Sequence, residues 1–320
     1  MITVKNLRKI YKTPIKTDNT LKDFFDRQYK EHTALHDISF EIEQNELIGF
    51  IGPNGAGKTT TMKIMTGILY PTAGEVQVLG YTPFDKKHEF LKQIAFVMGQ
   101  KNQMLWELPA TDTYKLNKEI YEIPDAKYKK TLGELTDLLE VGSFIDRPVK
   151  TLSLGQRMRV ELIASLIHSP KVLFLDEPTI GLDIFAQTTI INFIKEYQKQ
   201  YKSTVILTSH YMQDVQRLAK RVILIDHGGI IYDGALKELV EKHSSLKRIQ
   251  VMLNSEIDVQ KLKLPADTQI EYQYPQLRLT VKKDQIEEVI QKTLSHVDYD
   301  DITIENETLE EVIKKSFKQE

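Results

Sequence analysis

The sequence predicts an α/β fold: a mainly parallel sheet carrying a phosphate-binding loop at one strand end, followed by a small α+β unit. Three observations carry that expectation. The stretch Gly52-Pro53-Asn54-Gly55-Ala56-Gly57-Lys58-Thr59 fits G-x-x-x-x-G-K-[ST]. It lies between the short apolar run Leu47-Ile48-Gly49-Phe50-Ile51 and a segment with Met62, Met65 and Ile68 at helical spacing, so a strand turns through glycines into a helix. Later in the chain, nearly all-apolar runs such as Val172-Leu173-Phe174-Leu175 alternate with helical periodicity, as strands buried on both faces should.

Taken in order, Met1 to Tyr11 reads as a strand with Ile2 and Val4 on one face. Between 12 and 32, Leu21, Phe24, Phe25 and Tyr29 recur at i, i+3, i+4 and i+8, which predicts a short amphipathic helix inserted between strands. Strands follow at Ala34–Ile42, Glu46–Ile51, Glu75–Gly80 and Ile94–Met98. From Thr111 to His168 the periodicity is helical, with breaks at Pro109, Pro124 and Pro148, and helices are expected near 111–122, 125–140 and 156–168. Strands return at 171–175 and 204–208 around a helix at 184–201, and a hairpin turns at His227-Gly228-Gly229. Glu241-Lys242-His243-Ser244-Ser245 reads as a linker, which sets domains at 1–240 and 245–320 with a helical subdomain at about 100–168. The last segment has the order β-α-β-β-α-β of a split βαβ unit.

Composition narrows the function. Of 320 residues, 43 are Lys or Arg and 45 are Asp or Glu, which argues against a nucleic-acid-coating surface. With no cysteine, disulfides and thiolate metal sites are excluded. Met1-Ile2-Thr3-Val4-Lys5 does not read as a signal peptide, and no apolar run approaches the ~18 residues of a membrane helix. Any membrane role is expected to come through a partner.

The chemistry sits in a few short strings. Glycines let the backbone approach a polyphosphate, and the helix N-terminus adds partial positive charge there. Lys58 is suited to the β- and γ-phosphates, and the Thr59 hydroxyl to Mg²⁺. Asp176-Glu177 ends an apolar strand. Asp176 is placed to anchor Mg²⁺ directly or through water, and Glu177, one residue on and facing differently, to polarise an attacking water. Ser153-x-x-Gln156 is a capping box ahead of a helix, and a capped helix N-terminus can also receive an external phosphate.

Leu152-Ser153-Leu154-Gly155-Gln156, shortly before Asp176-Glu177, resembles the signature motif of ATP-binding-cassette (ABC) proteins. Ser153, Gly155 and Gln156 match, and Leu154 stands where the family pattern has glycine. Other strings resemble family motifs in the same order. Gln100, which directly ends a strand, resembles the Q-loop glutamine that senses Mg²⁺ and the attacking water, with Gln103 as its rival. Ile180-Gly181-Leu182-Asp183 resembles the D-loop, which implies that Asp183 reaches a dimer interface. His210 resembles the switch histidine at the γ-phosphate, and Tyr11 the aromatic that stacks on adenine, with Tyr29 and Phe25 as rivals. The resemblance covers roughly residues 1 to 240. It implies a P-loop NTPase cassette with a mainly parallel core sheet, an antiparallel β region and a helical subdomain. It also implies ATP bound by residues Gly52 to Thr60, with Mg²⁺ held by Thr59, Gln100 and Asp176. It further implies that two cassettes, two copies of this chain or one copy and a related partner, meet head to tail, so that Ser153 and Gly155 of one face the phosphate loop of the other.

Three kinds of ABC protein compete. Ribosome-acting members resemble two fused cassettes, and this chain carries one set of motifs. Chromosome and repair members carry a long coiled coil between the phosphate loop and the signature, whereas fewer than about 100 residues separate Lys58 from Ser153. The remaining expectation is the ATPase subunit of a transporter whose permease is a separate chain, held peripherally at the cytoplasmic face of the membrane. A cassette followed by a small unit with Asp301-Ile302-Thr303-Ile304-Glu305 looks like the bacterial drug- and polysaccharide-exporter branch. Residues 100 to 115 around Trp106 are the candidate groove for a permease helix.

Overall fold

The computed structural model describes residues 1–15, 29–99, 101–209, 211–243, 246–307 and 309–316. The chain divides into two compact units, Met1–Gly234 and Ala235–Glu320. The first unit begins with β1 (Ile2–Pro14), β2 (Tyr29–Ile42), β3 (Leu47–Ile51), α1 (Lys58–Met65), β4 (Ala73–Val78), the short α2 (His88–Leu91) and β5 (Ile94–Met98). Three helices follow, α3 (Ala110–Ile120), α4 (Asp125–Leu138) and α5 (Leu154–Leu166). The unit closes with β6 (Val172–Asp176), α6 (Ile184–Tyr201), β7 (Thr204–Thr208), α7 (Met212–Leu218), β8 (Arg221–Asp226) and β9 (Gly229–Ala235).

Six strands form one sheet in the order β5-β6-β7-β3-β8-β9. The pairs β5–β6, β6–β7, β7–β3 and β3–β8 are all parallel, so their carboxyl ends share one edge. The side-chain period of two explains the apolar runs. Leu173, Leu175, Val205 and Leu207 pack with α5 and α6 on one face, whereas Val172, Phe174, Ile206, Ile48 and Phe50 pack into a second cluster on the other. That second cluster also contains Ile2, Val4, Leu35 and Phe40 from a three-stranded antiparallel sheet of order β2-β1-β4. The helical block starts its first two helices directly after Pro109 and Pro124, and Pro148 precedes the 3-10 turn Val149–Thr151. It is tied to α5 by the buried Tyr114 hydroxyl, which donates to the Val160 carbonyl at 2.9 Å.

Two local expectations are corrected. Strand β1 does not stop at Tyr11, and Tyr29 lies in a strand. The two strands continue as a ribbon in which Tyr11 opposes His32, Lys12 opposes Glu31 with an ion pair of 2.9 Å, and Pro14 opposes Tyr29. Cross-strand pairing between residues distant along the chain extends both strands past the expected ends. Leu21, Phe24 and Phe25 lie outside the described residues. The second correction concerns the boundary, which falls between Gly234 and Ala235 rather than at 240. Residues 241–243 end a helix, α8 (Leu236–His243), whose Leu236 and Leu239 are buried.

The second unit continues with β10 (Leu246–Leu253), β11 (Gln269–Gln273), β12 (Gln276–Lys282), α9 (Ile286–Leu294), β13 (Tyr299–Asn306) and α10 (Leu309–Ser316), which packs on α8. Its strands run β11-β12-β10-β13 and every neighbouring pair is antiparallel. This is the split βαβ order, with the 3-10 turn Val259–Leu262 in place of the first helix. Ile249, Val251, Leu277, Leu279 and Val289 form its core. Among the described residues no helix is long and apolar enough to cross a membrane.

Phe174 is fully buried at the centre of β6, so Phe174→Ala should lower unfolding stability by about 3–5 kcal/mol, as read from urea denaturation.

Candidate functional site

Strand β3 delivers the chain to the sheet's carboxyl edge, and the loop from Gly52 to Gly57 turns it back into α1. Two glycines are required by close approach. A Cβ on Gly52 would stand 2.1 Å from the Ile225 carbonyl oxygen of β8. Gly57 caps α1 at φ 111°, and a Cβ there would meet Leu35 at 2.6 Å and the Ala34 carbonyl at 2.9 Å. Pro53, Asn54 and Gly55 form the exposed rim, and Ala56 is buried under it. The buried Lys58 ammonium donates to the carbonyl oxygens of Gly52 (2.7 Å) and Pro53 (2.9 Å). Burial lowers its pKa, while the Glu177 and Asp176 carboxylates oppose that shift.

The Asp176 carboxylate joins three elements. Its Oδ2 accepts from the Thr59 hydroxyl of α1 at 2.8 Å, and its Oδ1 accepts from the Thr208 hydroxyl at the end of β7 at 2.8 Å. The same Thr208 hydroxyl oxygen accepts the Glu177 N–H at 3.0 Å. Glu177 takes a left-handed backbone, φ 55°, which costs a non-glycine residue about 1 kcal/mol. Gly99 makes room for this turn, since a Cβ there would stand 2.1 Å from the Glu177 carbonyl oxygen. A cleft of about 160 Å³ results, lined by Thr59, Lys63, Gly99, Lys101, Asp176 and Glu177. Gln100 and His210 lie outside the described residues.

Tyr11 stands beside the loop, its hydroxyl 3.4 Å from that of Thr60 and its ring 5.3 Å from the Lys9 ammonium. Tyr29 sits three residues further along the ribbon, opposite Pro14. Of the two described candidates for a base-stacking ring, Tyr11 is the one beside the phosphate loop, and Phe25 lies outside the described residues.

The signature-like residues form a separate group. None of residues 153–156 is among the described residues lining the cleft. Ser153 caps α5 with both halves of the capping box in place: its hydroxyl accepts the Gln156 N–H at 3.2 Å, and Gln156 Oε1 accepts the Ser153 N–H at 3.0 Å. Leu154 is the first residue of the helix and is not among the residues with positive φ. Gly155 is required by packing, because a Cβ there would meet the Ala186 Cβ of α6 at 2.7 Å. Asp183 caps α6, accepting from the N–H groups of Phe185 (3.0 Å) and Ala186 (2.9 Å).

One charged group has no counterpart in the motif reading. Glu161, on α5, is 3% exposed and accepts the Gln103 N–H at 3.0 Å. Burial raises its pKa to about 7, against the pull of that N–H and of Arg157. A glutamate inside a helix ordinarily reads as solvated surface, and the single sequence hint was its place among Val160, Leu162 and Ile163.

A family model described as ABC transporter matches residues 35–180. The NatA ABC transporter ATP-binding protein of Bacillus subtilis is 31% identical over 221 residues, 69% of this chain and 89% of that protein. The chain belongs to the ABC transporter ATP-binding family. The Nod factor export ATP-binding protein I of Ralstonia nicotianae is 32% identical over 214 residues, 67% of this chain and 66% of that one. Among solved structures, a dimeric post-hydrolysis ATP-binding cassette bound to ADP and Pi superposes with a TM-score of 0.62 at 22% identity, over 73% of this chain and 98% of that one, which supports the fold. The expected α/β cassette fold is thus borne out.

The sign of the Glu161 shift gives a measurable consequence. A carboxyl whose folded pKa is raised keeps its proton in the folded state where the unfolded chain has lost it, so stability falls as pH rises from about 5 to about 7 and is flat above that. Glu161→Gln does not titrate. Its stability advantage over the parent should therefore be absent near pH 4, grow through that window and level off at up to about 3 kcal/mol by pH 8, as read from denaturation midpoints.

Proposed function

We propose that this chain is the ATP-hydrolysing subunit of a membrane exporter, working as a pair of cassettes beneath a separate permease. The observation that carries this reading is the pair of hydrogen bonds joining Thr59 and Thr208 to Asp176. They bring the Thr59 hydroxyl and the Asp176 carboxylate together beside the phosphate loop, which supports reading the two as metal ligands. Hydroxyl and carboxylate oxygens suit Mg²⁺. The Thr59 hydroxyl and the Asp176 carboxylate, with Gln100, would hold the metal, and phosphates and water would supply the rest of its shell. Mg²⁺ held by these residues would neutralise phosphate charge.

The roles of the chain's own residues follow. The N–H groups of Gly55, Gly57, Lys58, Thr59 and Thr60 receive the phosphates, and Lys58 exchanges its loop carbonyls for phosphate oxygens. Tyr11 stacks on the base. Glu177 orients water for in-line attack, His210 steadies the γ-phosphate, and Gln100 joins Thr59 and Asp176 at the metal. Ser153, Gly155 and Gln156 of a second copy close over the nucleotide, and Asp183 shapes the turn that meets that copy. Leu105, Trp106 and Leu108, each about two-fifths exposed, offer the permease a docking patch, which would hold the chain at the cytoplasmic face of a membrane. The export direction rests on the named relative that exports Nod factor.

The test is Glu177→Gln. Removing the water-orienting carboxylate should lower turnover by ~10²–10⁴ while nucleotide still binds, so light scattering should show a shift from monomer to dimer on adding Mg-ATP. Monomer under both conditions, with ATP bound, would overturn the closed pair of cassettes.

A further inference from the structure

The segment after β5 is fastened on two sides. Toward the nucleotide site, the Gly99 N–H donates to the Asp176 carbonyl at 2.9 Å, and the Gln103 side chain donates to the Phe96 carbonyl at 3.1 Å. Toward α5, the Gln103 N–H donates to the buried Glu161 carboxylate at 3.0 Å, and the Arg157 guanidinium lies 4.7 Å from the centre of the Trp106 ring. The residues leading into Ser153 are joined to the same segment, because the Lys150 N–H donates to the Trp106 carbonyl at 3.0 Å and the Val149 N–H to the Leu108 carbonyl at 3.0 Å. Between these fastenings a cavity of about 270 Å³ opens, lined by Gly99, Lys101, Arg157, Glu161, Ile180 and Gly181. The segment is therefore not packed solidly against the helix at this level. Across this contact the Gln103 N–H donates to the buried Glu161 carboxylate.

We propose that Glu161 is a positioning residue: its bond to the Gln103 N–H ties the 101–106 segment to α5, so that this segment and Ser153 move as one body when two nucleotide-loaded copies close. The proposal rests on the two-cassette reading above. A buried carboxylate is costly to keep, and it remains only where a specific donor needs it. A bond to a main-chain N–H also fixes the backbone rather than a flexible side chain. Arg157 and Trp106 provide the second point of attachment, so the segment is prevented from pivoting about Gln103.

The experiment uses the full chain carrying Glu177→Gln, so that bound ATP persists. Glu161→Met removes the acceptor and keeps the volume; Glu161→Gln keeps an acceptor oxygen without the charge. Amide exchange is followed in peptides covering 99–106, and the ATP concentration giving half-maximal dimer is read by light scattering. With Glu161→Met, exchange in 99–106 should accelerate and the half-dimerising ATP concentration should rise about tenfold, while ATP affinity of the monomer stays within about twofold. Glu161→Gln should return both readings close to the parent. Unchanged exchange and dimerisation in Glu161→Met would overturn the proposal, as would equal defects in both variants, since loss of charge rather than loss of the acceptor would then be the cause. If Glu161→Met does not fold, Gln103→Pro removes the donor from the other side, and parental dimerisation in that variant would overturn the proposal. Failure of the Glu177→Gln parent itself to dimerise would count against the two-cassette reading instead.

Discussion

The site depends on one carboxylate. Asp176 accepts two hydroxyl hydrogen bonds, from α1 and from the end of β7, and so fixes the relation between the phosphate loop and two strand ends. Strand β3, which feeds the loop, does not touch β6 in the sheet; β7 lies between them. A loop held by β3 alone would leave Thr59 free to drift from the acidic strand end. The Thr59–Asp176–Thr208 chain closes that gap without a backbone bond between the two strands. Both hydroxyls donate to the one carboxyl group, one to each of its oxygens. The same Thr208 oxygen receives the Glu177 N–H, so a residue in a strained left-handed turn is held by the network that positions its neighbour.

Glycine appears where elements meet more closely than a side chain allows. Gly52 faces a β8 carbonyl, Gly99 faces the Glu177 carbonyl, and Gly155 faces Ala186. The first belongs to the phosphate loop and is readable from its motif. The third is readable as part of the signature, although its reason was not: it lets the first turns of α5 and α6 touch. Gly99 belonged to no motif, and only the fold shows that it admits the turn at Glu177.

Legibility in the sequence followed the range of the interactions. The phosphate loop, Asp176-Glu177 and the capping box are contiguous strings whose chemistry is local, and each was readable. The parallel strands were readable because burial on both faces leaves an apolar run. The ribbon between β1 and β2 was not, since its order comes from pairing of residues such as Lys12 and Glu31 that are distant along the chain. The polar run at 241–243 concealed a helix end because the apolar partners of α8 lie on α10, at the other end of the second unit. Glu161 was the least legible, because helical spacing gives no sign that a glutamate will be enclosed rather than solvated.

Leu154 shows how a departure from the family pattern can be absorbed by the same physics. Its backbone is helical, so the position makes no demand that only glycine can meet. Glycine in the first turn of α5 would cost about 1 kcal/mol in lost backbone freedom relative to a helix-forming residue. The leucine side chain lies over the turn at Gly181, where an added Cβ would stand 3.2 Å from its terminal carbon. Helix and turn therefore support one another before any second copy arrives. A helix N-terminus already capped by Ser153 and Gln156, and braced by Leu154, has less order to gain on meeting a phosphate. In the proposed pair of cassettes, that preorganisation favours closure over nucleotide by lowering its entropic cost, which leaves the fastening of α5 to the 101–106 segment as the element that governs how far the helix can swing.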